Sequence, residues 1–212
     1  MVEVGSAVKL SVSGYRARVG EGFTPESCLR FANAFAAFLA QSGGRTVVLG
    51  RDTRPSGLAA FHAVLSGLLA SGLSVHDAQV APTPTVFYAA ARLEADGALM
   101  ITASHNPPDW NGIEAASRSG RLLNGSEREQ LHRLFYAQSA AYTRWDEQGV
   151  CSPLPHAVDQ HLEAILELPF VDLEAVRGAG FRVVVDAGQR CWSGQHTAAA
   201  PAARLRCGPA AL

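Results

Sequence analysis

A serine, a histidine and an asparagine stand side by side in the stretch TASHNPPDWNG, directly after an apolar run. The Ser104 hydroxyl could act as a nucleophile or carry a phosphoryl group, with His105 as an adjacent base. The two prolines that follow Asn106 would stiffen such a loop. The same residues could instead form a structural surface turn, which Asn-Pro sequences favour. No GxSxG elbow occurs, so an acyl-transfer serine is poorly supported.

Arginines follow a second apolar run, in the stretch GRDTRPSG. Arg51 and Arg54 stand just before a predicted helix, where the arginine forks and the helix dipole would both favour a phosphate. In the structural alternative, Asp52 pairs with one of these arginines and Ser56 caps the helix.

The stretch SGYRARVG, residues 13–20, carries two more arginines, Arg16 and Arg18. Its flanking glycines predict a loop after a strand at residues 7–14. Such a loop is either a solvated basic surface or a second source of cations for an anionic ligand.

Short β-branched runs alternate with helical patterns along the first two-thirds of the chain, which is typical of α/β proteins. Thr24 and Pro25 predict a helix start as N-cap and first residue. We also predict a Pro-Thr-Pro turn at residues 82–84. Further strands are expected at residues 46–50, 73–79, 97–102 and 113–117. Further helices are expected at 56–71, from the Pro-Thr-Pro turn through residue 93, at 127–137 and at 156–168. The serine stretch follows the strand at 97–102, at the strand end where open α/β sheets bind ligands.

Composition limits the possible partners. The 212 residues are 48% hydrophobic and 17% charged, with a net charge of −1, so no electrostatic case exists for nucleic acid or an anionic membrane. No apolar run reaches the ~18 residues that span a bilayer, and no secretory signal is evident. The four cysteines show no zinc spacing and are expected as free thiols in a reducing cytosol, so we expect a cytoplasmic protein.

With these motifs, the sequence resembles the α-D-phosphohexomutases, the family of phosphoglucomutase, phosphomannomutase and phosphoglucosamine mutase. The stretch TASHNP matches the active-site serine loop of that family. SGYRARVGEGFTPE is similar to its N-terminal S-G-x-R-G segment, GRDTRPSG to its second segment, and APTPT to the stretch before the serine loop. The resemblance runs from Val8 to Gly188.

The resemblance implies a fold and a chemistry. The fold would be the family's first domain, an α/β domain with a three-layer mixed sheet and helices on both faces. Ser104 would be the phosphoserine that moves phosphate between C1 and C6 of a phosphorylated hexose, through a sugar 1,6-bisphosphate. Its phosphate would be one ligand of Mg²⁺. The other implied roles are catalytic for His105 and Arg16, and phosphate or substrate binding for Ser13, Arg51, Arg54 and Asn106.

Two departures from the family pattern stand out. Glu114 stands where the family has a lysine, and a carboxylate ~4 Å from a phosphoserine would repel it by several kcal/mol. The second departure is that the family's D-G-D-x-D-R metal loop and G-E-x-S-G sugar loop do not occur.

We therefore predict the first domain at residues 1–138, a linker at 139–155, and the start of a second domain, including a strand at 181–188, at 156–188. Residues 189–212 are predicted to be out of frame or disordered, because shifting the codons after Gly188 by one base can restore the family's Asn-Gly-Ala-Gly. The expected function is a phosphomannomutase or phosphoglucomutase activity that this chain alone lacks. The alternatives are a phosphoglucosamine mutase and a non-catalytic domain that binds a phosphorylated ligand.

Overall fold

The described residues build one mixed sheet with helices packed against it. A computed structural model of the chain describes residues 9–11 and 14–184. The strands are β1 (Lys9–Ser11), β2 (Gly14–Arg18), β3 (Thr46–Arg51), β4 (Ser74–Val80), β5 (Gly97–Ile101), β6 (Trp110–Ser117) and β7 (Cys151–Pro153). The helices are α1 (Pro25–Ala40), α2 (Gly57–Ala70), α3 (Thr83–Arg92), α4 (Gly125–Tyr136), α5 (Ala157–Leu166) and α6 (Leu173–Gly178).

The sheet has the strand order β1-β2-β6-β5-β3-β4-β7 among the described residues. The pairs β5–β3, β3–β4 and β4–β7 are parallel, whereas the pairs β1–β2, β2–β6 and β6–β5 are antiparallel. As a result β3 and β5 end at the same edge, where β6 begins and β2 ends. Four strand termini thus bring their loops together at one edge of the sheet.

Alternate residues of the central strands pack against two separate hydrophobic layers. Val47 and Leu49 of β3 join the core formed with α1, α2 and α4, whereas Val48 joins the core formed with α3 and α5. This two-residue alternation is what a strand buried on both faces requires. The predicted α/β fold, with a mixed sheet between helices on both faces, is confirmed.

Side chains cap the N-termini of two helices, α1 and α4. Thr24 caps α1: its side chain accepts the amide of Ser27, and the Ser27 side chain accepts the Thr24 amide in return. Asn124 and Glu127 form the same reciprocal arrangement at the start of α4. Such capping satisfies amides that the first turn of a helix leaves unpaired.

Three local predictions are wrong. Residues 14–18 form β2 rather than a loop, because Tyr15 and Ala17 are fully buried on one face and the chain pairs with β1 and β6. The Pro-Thr-Pro segment opens α3 with Pro82 as its N-cap, instead of forming a separate turn. The strand predicted at residues 113–117 begins earlier, at Trp110.

The segment predicted as a linker contributes β7, whose Cys151–Pro153 pair in parallel with β4. The strand predicted at residues 181–188 is not formed at 181–184, and 185–188 lie outside the described residues, as do the predicted features of residues 189–212. The predicted domain boundaries stay predictions. Among the described residues, none of the helices is both long and apolar enough to cross a membrane.

Candidate active site

The serine loop lies at the sheet edge where β3 and β5 end. Arg51, the last residue of β3, pairs with Ile101, the last residue of β5. Trp110 then starts β6 beside Arg18, the last residue of β2. The loop between β5 and β6 is therefore flanked by the loop after β3 and the end of β2, which is the convergence that the sequence predicts.

Ser104 presents its hydroxyl at the exposed tip of this loop. Its φ is +53°, in the left-handed region that non-glycine residues rarely adopt. Its Oγ lies 3.4 Å from Nδ1 of His105, which is also exposed. Depending on the imidazole tautomer, His105 can accept the hydroxyl proton or donate to Oγ. This pair is the part of the site that could carry out proton-coupled chemistry.

A chain of two hydrogen bonds, one buried and one partly buried, fixes the backbone of Ser104. Its amide donates to Oγ1 of Thr102 at 3.0 Å, and that hydroxyl donates to Oδ2 of Asp52 at 2.8 Å. Thr102 and Asp52 are 5% and 9% exposed, so water competes little with these bonds. Neither was predicted to support Ser104; the only sequence signal for Thr102 is its position at the end of an apolar strand.

Arg54 ties the loop after β3 to the serine loop. Its Nε donates to Oδ2 of Asp52 at 3.2 Å, which is the ion pair, though not the helix cap, of the structural alternative for this segment. Its Nη1 and Nη2 atoms donate to four backbone carbonyls of the serine loop, those of Ser104, Asn106, Pro107 and Trp110, at 2.8–3.0 Å. The predicted contact of Arg54 with a ligand phosphate stays a prediction.

The start of α2 lies beside these bonds. Ser56 is the N-cap residue, but the expected side-chain cap is absent, because its backbone is already helical and its Oγ accepts from Asn111 Nδ2 at 2.9 Å. Arg51 lies alongside, with Nη1 donating to the Asp52 carbonyl at 3.2 Å. A β-carbon at Gly57 would lie 3.6 Å from Cδ of Arg51. Arg51 therefore stands at the N-terminus of a helix, as the phosphate-binding prediction requires.

Arg16 lies on β2 and forms an ion pair with the residue that departs from the family pattern. Its Nη2 donates to Oε1 of Glu114 at 2.6 Å, with side chains 18% and 10% exposed. Glu114 thus faces a cation, which offsets the repulsion expected between its carboxylate and a phosphoserine.

Gly112 allows Arg16 to approach the serine loop. A β-carbon on Gly112 would lie 2.5 Å from the Tyr15 carbonyl oxygen, 2.7 Å from Cγ of Arg16 and 2.8 Å from the Thr102 carbonyl oxygen. Such distances are too short for any side chain. The stem of Arg16 therefore passes directly beside the strand end that leads to Ser104.

Buried groups beneath β2 hold this strand on α1. The Tyr15 hydroxyl donates to the Gly22 carbonyl and contacts Oγ of Ser27. Burial raises the pKa of Tyr15 to about 12 and that of the neighbouring Cys28 thiol to about 12. Both groups stay protonated near neutral pH and act as structural elements of the site's support.

The remaining predicted site residues are placed as follows. Asn106 is half-buried, and its backbone N–H donates to the Ala103 carbonyl at 3.0 Å within the loop. Ser13 lies outside the described residues. Among residues 9–11 and 14–184, no three His, Cys, Asp or Glu side chains lie close enough to hold a metal ion.

Comparison with known proteins identifies the family. The model of phosphoglucomutase/phosphomannomutase, alpha/beta/alpha domain I, matches residues 8–141. The chain belongs to the phosphohexomutase family. The match spans β2, the serine loop and the loop that follows β3, and these three segments converge at the sheet edge.

Its relatives carry several family names. The chain is 40% identical over 174 residues to a probable phosphoglucosamine mutase of Methanopyrus kandleri, covering 82% of this chain and 36% of the relative. It is 37% identical over 175 residues to a phosphoglucomutase/phosphomannomutase of Thermococcus kodakarensis, covering 82% and 38%. The phosphohexomutase chain thus spans little more than a third of these relatives.

A solved structure supports the fold. A phosphoglucomutase/phosphomannomutase family protein from Burkholderia thailandensis superposes with a TM-score of 0.71 at 23% identity, covering 93% of this chain and 42% of that one. At this identity the likeness bears on the architecture of the domain.

Proposed function

We propose that Ser104 carries the phosphoryl group of a phosphohexomutase reaction, which moves phosphate between C1 and C6 of a hexose phosphate. The observation that carries the proposal is the exposed Ser104 hydroxyl, 3.4 Å from a histidine nitrogen, on a loop of fixed backbone in a chain of this family. A phosphoryl-transfer site works chiefly by positioning and by neutralising charge.

In the accepting direction, Ser104 Oγ attacks a phosphorus atom of a hexose 1,6-bisphosphate. The Oγ–P bond forms, the bond from phosphorus to the sugar oxygen breaks, and a hexose monophosphate leaves. The serine proton passes to the sugar oxygen, and His105 is the nearby base that can relay it. The reverse transfer returns phosphate to the other position of the sugar.

The proposed substrate is a phosphorylated hexose of the glucose or mannose type, with glucosamine phosphate as the alternative that the first relative's name favours. Arg51 at the start of α2 and Asn106 on the serine loop are the proposed phosphate contacts within the described residues, and Ser13 is a further proposed contact beyond them. When bound, Mg²⁺ would neutralise charge on the transferring phosphoryl group. The phosphate on Ser104 would be one of its ligands.

Acting alone, this chain would carry out only part of the reaction. We expect phosphate uptake by Ser104 without sustained mutase turnover, because the family's metal and sugar loops do not occur in the sequence. Measurable turnover by the purified 212-residue chain would contradict the second half of this expectation.

Intact-mass spectrometry tests the first half. The chain is incubated with glucose 1,6-bisphosphate and Mg²⁺, and we expect a mass increase of one phosphoryl group. Ser104→Ala should remove the increase, while the matched control Ser119→Ala, at an exposed serine of the turn after β6, should retain it.

The second candidate function is a non-catalytic domain that binds a phosphorylated ligand. The Arg16–Glu114 ion pair favours it, because a cation already paired with a carboxylate stabilises a second anion less. Binding of glucose 1,6-bisphosphate without any mass increase would support this function and refute phosphoryl transfer.

A further inference from the structure

The guanidinium group of Arg54 is bonded on every side by protein acceptors. Its five N–H groups face the Asp52 carboxylate and four loop carbonyls, those of Ser104, Asn106, Pro107 and Trp110. Only 9% of the side chain is exposed. An arginine carries five N–H donors in a fixed planar fork, so this set of acceptors uses all of them. A ligand phosphate would have to displace these bonds.

The carbonyls that Arg54 binds span the serine loop from Ser104 itself to the first residue of β6. Ser104 and Asn106 stand at the start of the loop, and Pro107 and Trp110 stand where it returns into β6. One planar group therefore sets the distance between the two arms of the loop. Lysine could not do so, because a single ammonium nitrogen offers three donors from one point.

A second route joins the same arginine to the amide of Ser104. Arg54 holds Oδ2 of Asp52, Asp52 accepts from the Thr102 hydroxyl, and that hydroxyl accepts the Ser104 amide. The carbonyl and the amide of Ser104 are thus both fixed through Arg54. This explains how a serine is kept at a φ of +53°, a conformation that persists only where the surroundings hold it in place.

We propose that Arg54 is a positioning residue, which holds Ser104 in line for phosphoryl transfer through the backbone of the serine loop and does not bind the transferring phosphate. This inference rests on the proposed role of Ser104 as phosphate carrier. It assigns Arg54 a different part from the phosphate contact that the sequence predicts, and the two roles differ in their kinetics. Misplacing a reacting atom slows transfer, whereas losing a phosphate contact weakens binding.

The test measures the rate of Ser104 phosphorylation as a function of glucose 1,6-bisphosphate concentration. In Arg54→Lys, we expect the maximal rate to fall about 10- to 100-fold, with a half-saturating concentration within about twofold of that of the unaltered chain. The matched control is Arg92→Lys, the same change at an exposed position at the end of α3, which should leave both quantities unchanged. An unchanged maximal rate in Arg54→Lys, or a raised half-saturating concentration alone, would overturn the proposal.

Amide hydrogen exchange gives a readout that does not need phosphorylation. The Ser104 amide should exchange slowly in the unaltered chain and about 10-fold faster in Arg54→Lys, with amides of β3 unchanged. Equal exchange of the Ser104 amide in both proteins would refute the positioning role, even if the chain takes up no phosphate and the proposed function fails.

Thr102→Val keeps the test decisive if Arg54→Lys does not fold. This change keeps the shape of the side chain and removes the hydroxyl that accepts the Ser104 amide. We expect the same acceleration of Ser104 exchange and a slower maximal phosphorylation rate. A Thr102→Val chain that exchanges and reacts like the unaltered chain would overturn the proposal.

Discussion

Replacing Glu114 with glutamine tests whether the unusual carboxylate of this site is held by Arg16. The two groups meet at 2.6 Å with side chains 10% and 18% exposed, and they lie on neighbouring strands, β6 and β2. The change keeps the size of the side chain and one acceptor oxygen, but it removes the negative charge. Arg16, whose side chain is 18% exposed, then loses the carboxylate that it contacts on β6.

The geometry sets the size of the effect. At 2.6 Å, two unit charges attract each other by about 6 kcal/mol at an effective dielectric constant of 20, before the cost of removing them from water. Breaking one side of a largely buried pair costs about 3–5 kcal/mol, and a retained neutral hydrogen bond to Arg16 restores about 1 kcal/mol. We therefore expect Glu114→Gln to lower the free energy of unfolding by about 2–4 kcal/mol.

Urea unfolding of four proteins measures the pair directly: the unaltered chain, Glu114→Gln, Arg16→Gln and the double variant. The double variant should be less destabilised than the sum of the single changes, with a coupling energy of about 2 kcal/mol. A loss below about 0.5 kcal/mol in Glu114→Gln, or strictly additive changes, would refute the reasoning, because the pair would then behave as an exposed one.

Three further outcomes follow from the same geometry. Ser104→Gly should be about 0.5–1 kcal/mol more stable than Ser104→Ala in urea unfolding, because glycine tolerates the positive φ; equal stability would contradict a strained loop. Gly112→Ala should lower stability by about 1–3 kcal/mol, since its β-carbon meets atoms on both sides, while Gly125→Ala at the start of α4 should not; a neutral Gly112→Ala would show that the strand can shift. Above pH 9 the unfolded chain deprotonates before the buried Tyr15 and Cys28, whose pKa values are raised to about 12, so stability should fall by a few kcal/mol toward pH 12. The variant with Tyr15→Phe and Cys28→Ala should show a flatter decline, and an equally steep one would assign the effect to other groups.

Local rules predict much of the fold. The Thr24-Pro25 helix start follows from capping chemistry alone, and the placement of Ser104 just after the carboxyl end of β5 follows from the strand before it. Both depend on residues close together in the sequence. The same rules do not predict β2, because the glycines that flank this segment indicate loop boundaries, although Tyr15 and Ala17 alternate with arginines as in a strand.

The hydrogen bonds and ion pairs of the site join residues whose contact cannot be inferred from their spacing in the sequence. Arg16 and Glu114 are 98 residues apart and meet only because β2 pairs with β6. Arg54 binds backbone carbonyls, which any residue could provide, so no side-chain pattern marks its partners. Strand β7 is three exposed residues at the edge of the sheet, too short for a hydrophobic alternation to appear.

Locating the phosphate tests the central claim most directly. The chain is equilibrated with glucose 1,6-bisphosphate and Mg²⁺, digested, and every phosphorylated peptide is sequenced by mass spectrometry. The proposed function predicts phosphate on Ser104 and its loss when the same sample is treated with excess hexose monophosphate, which takes the phosphoryl group back. Phosphate on another residue, or none at all on Ser104, would contradict it.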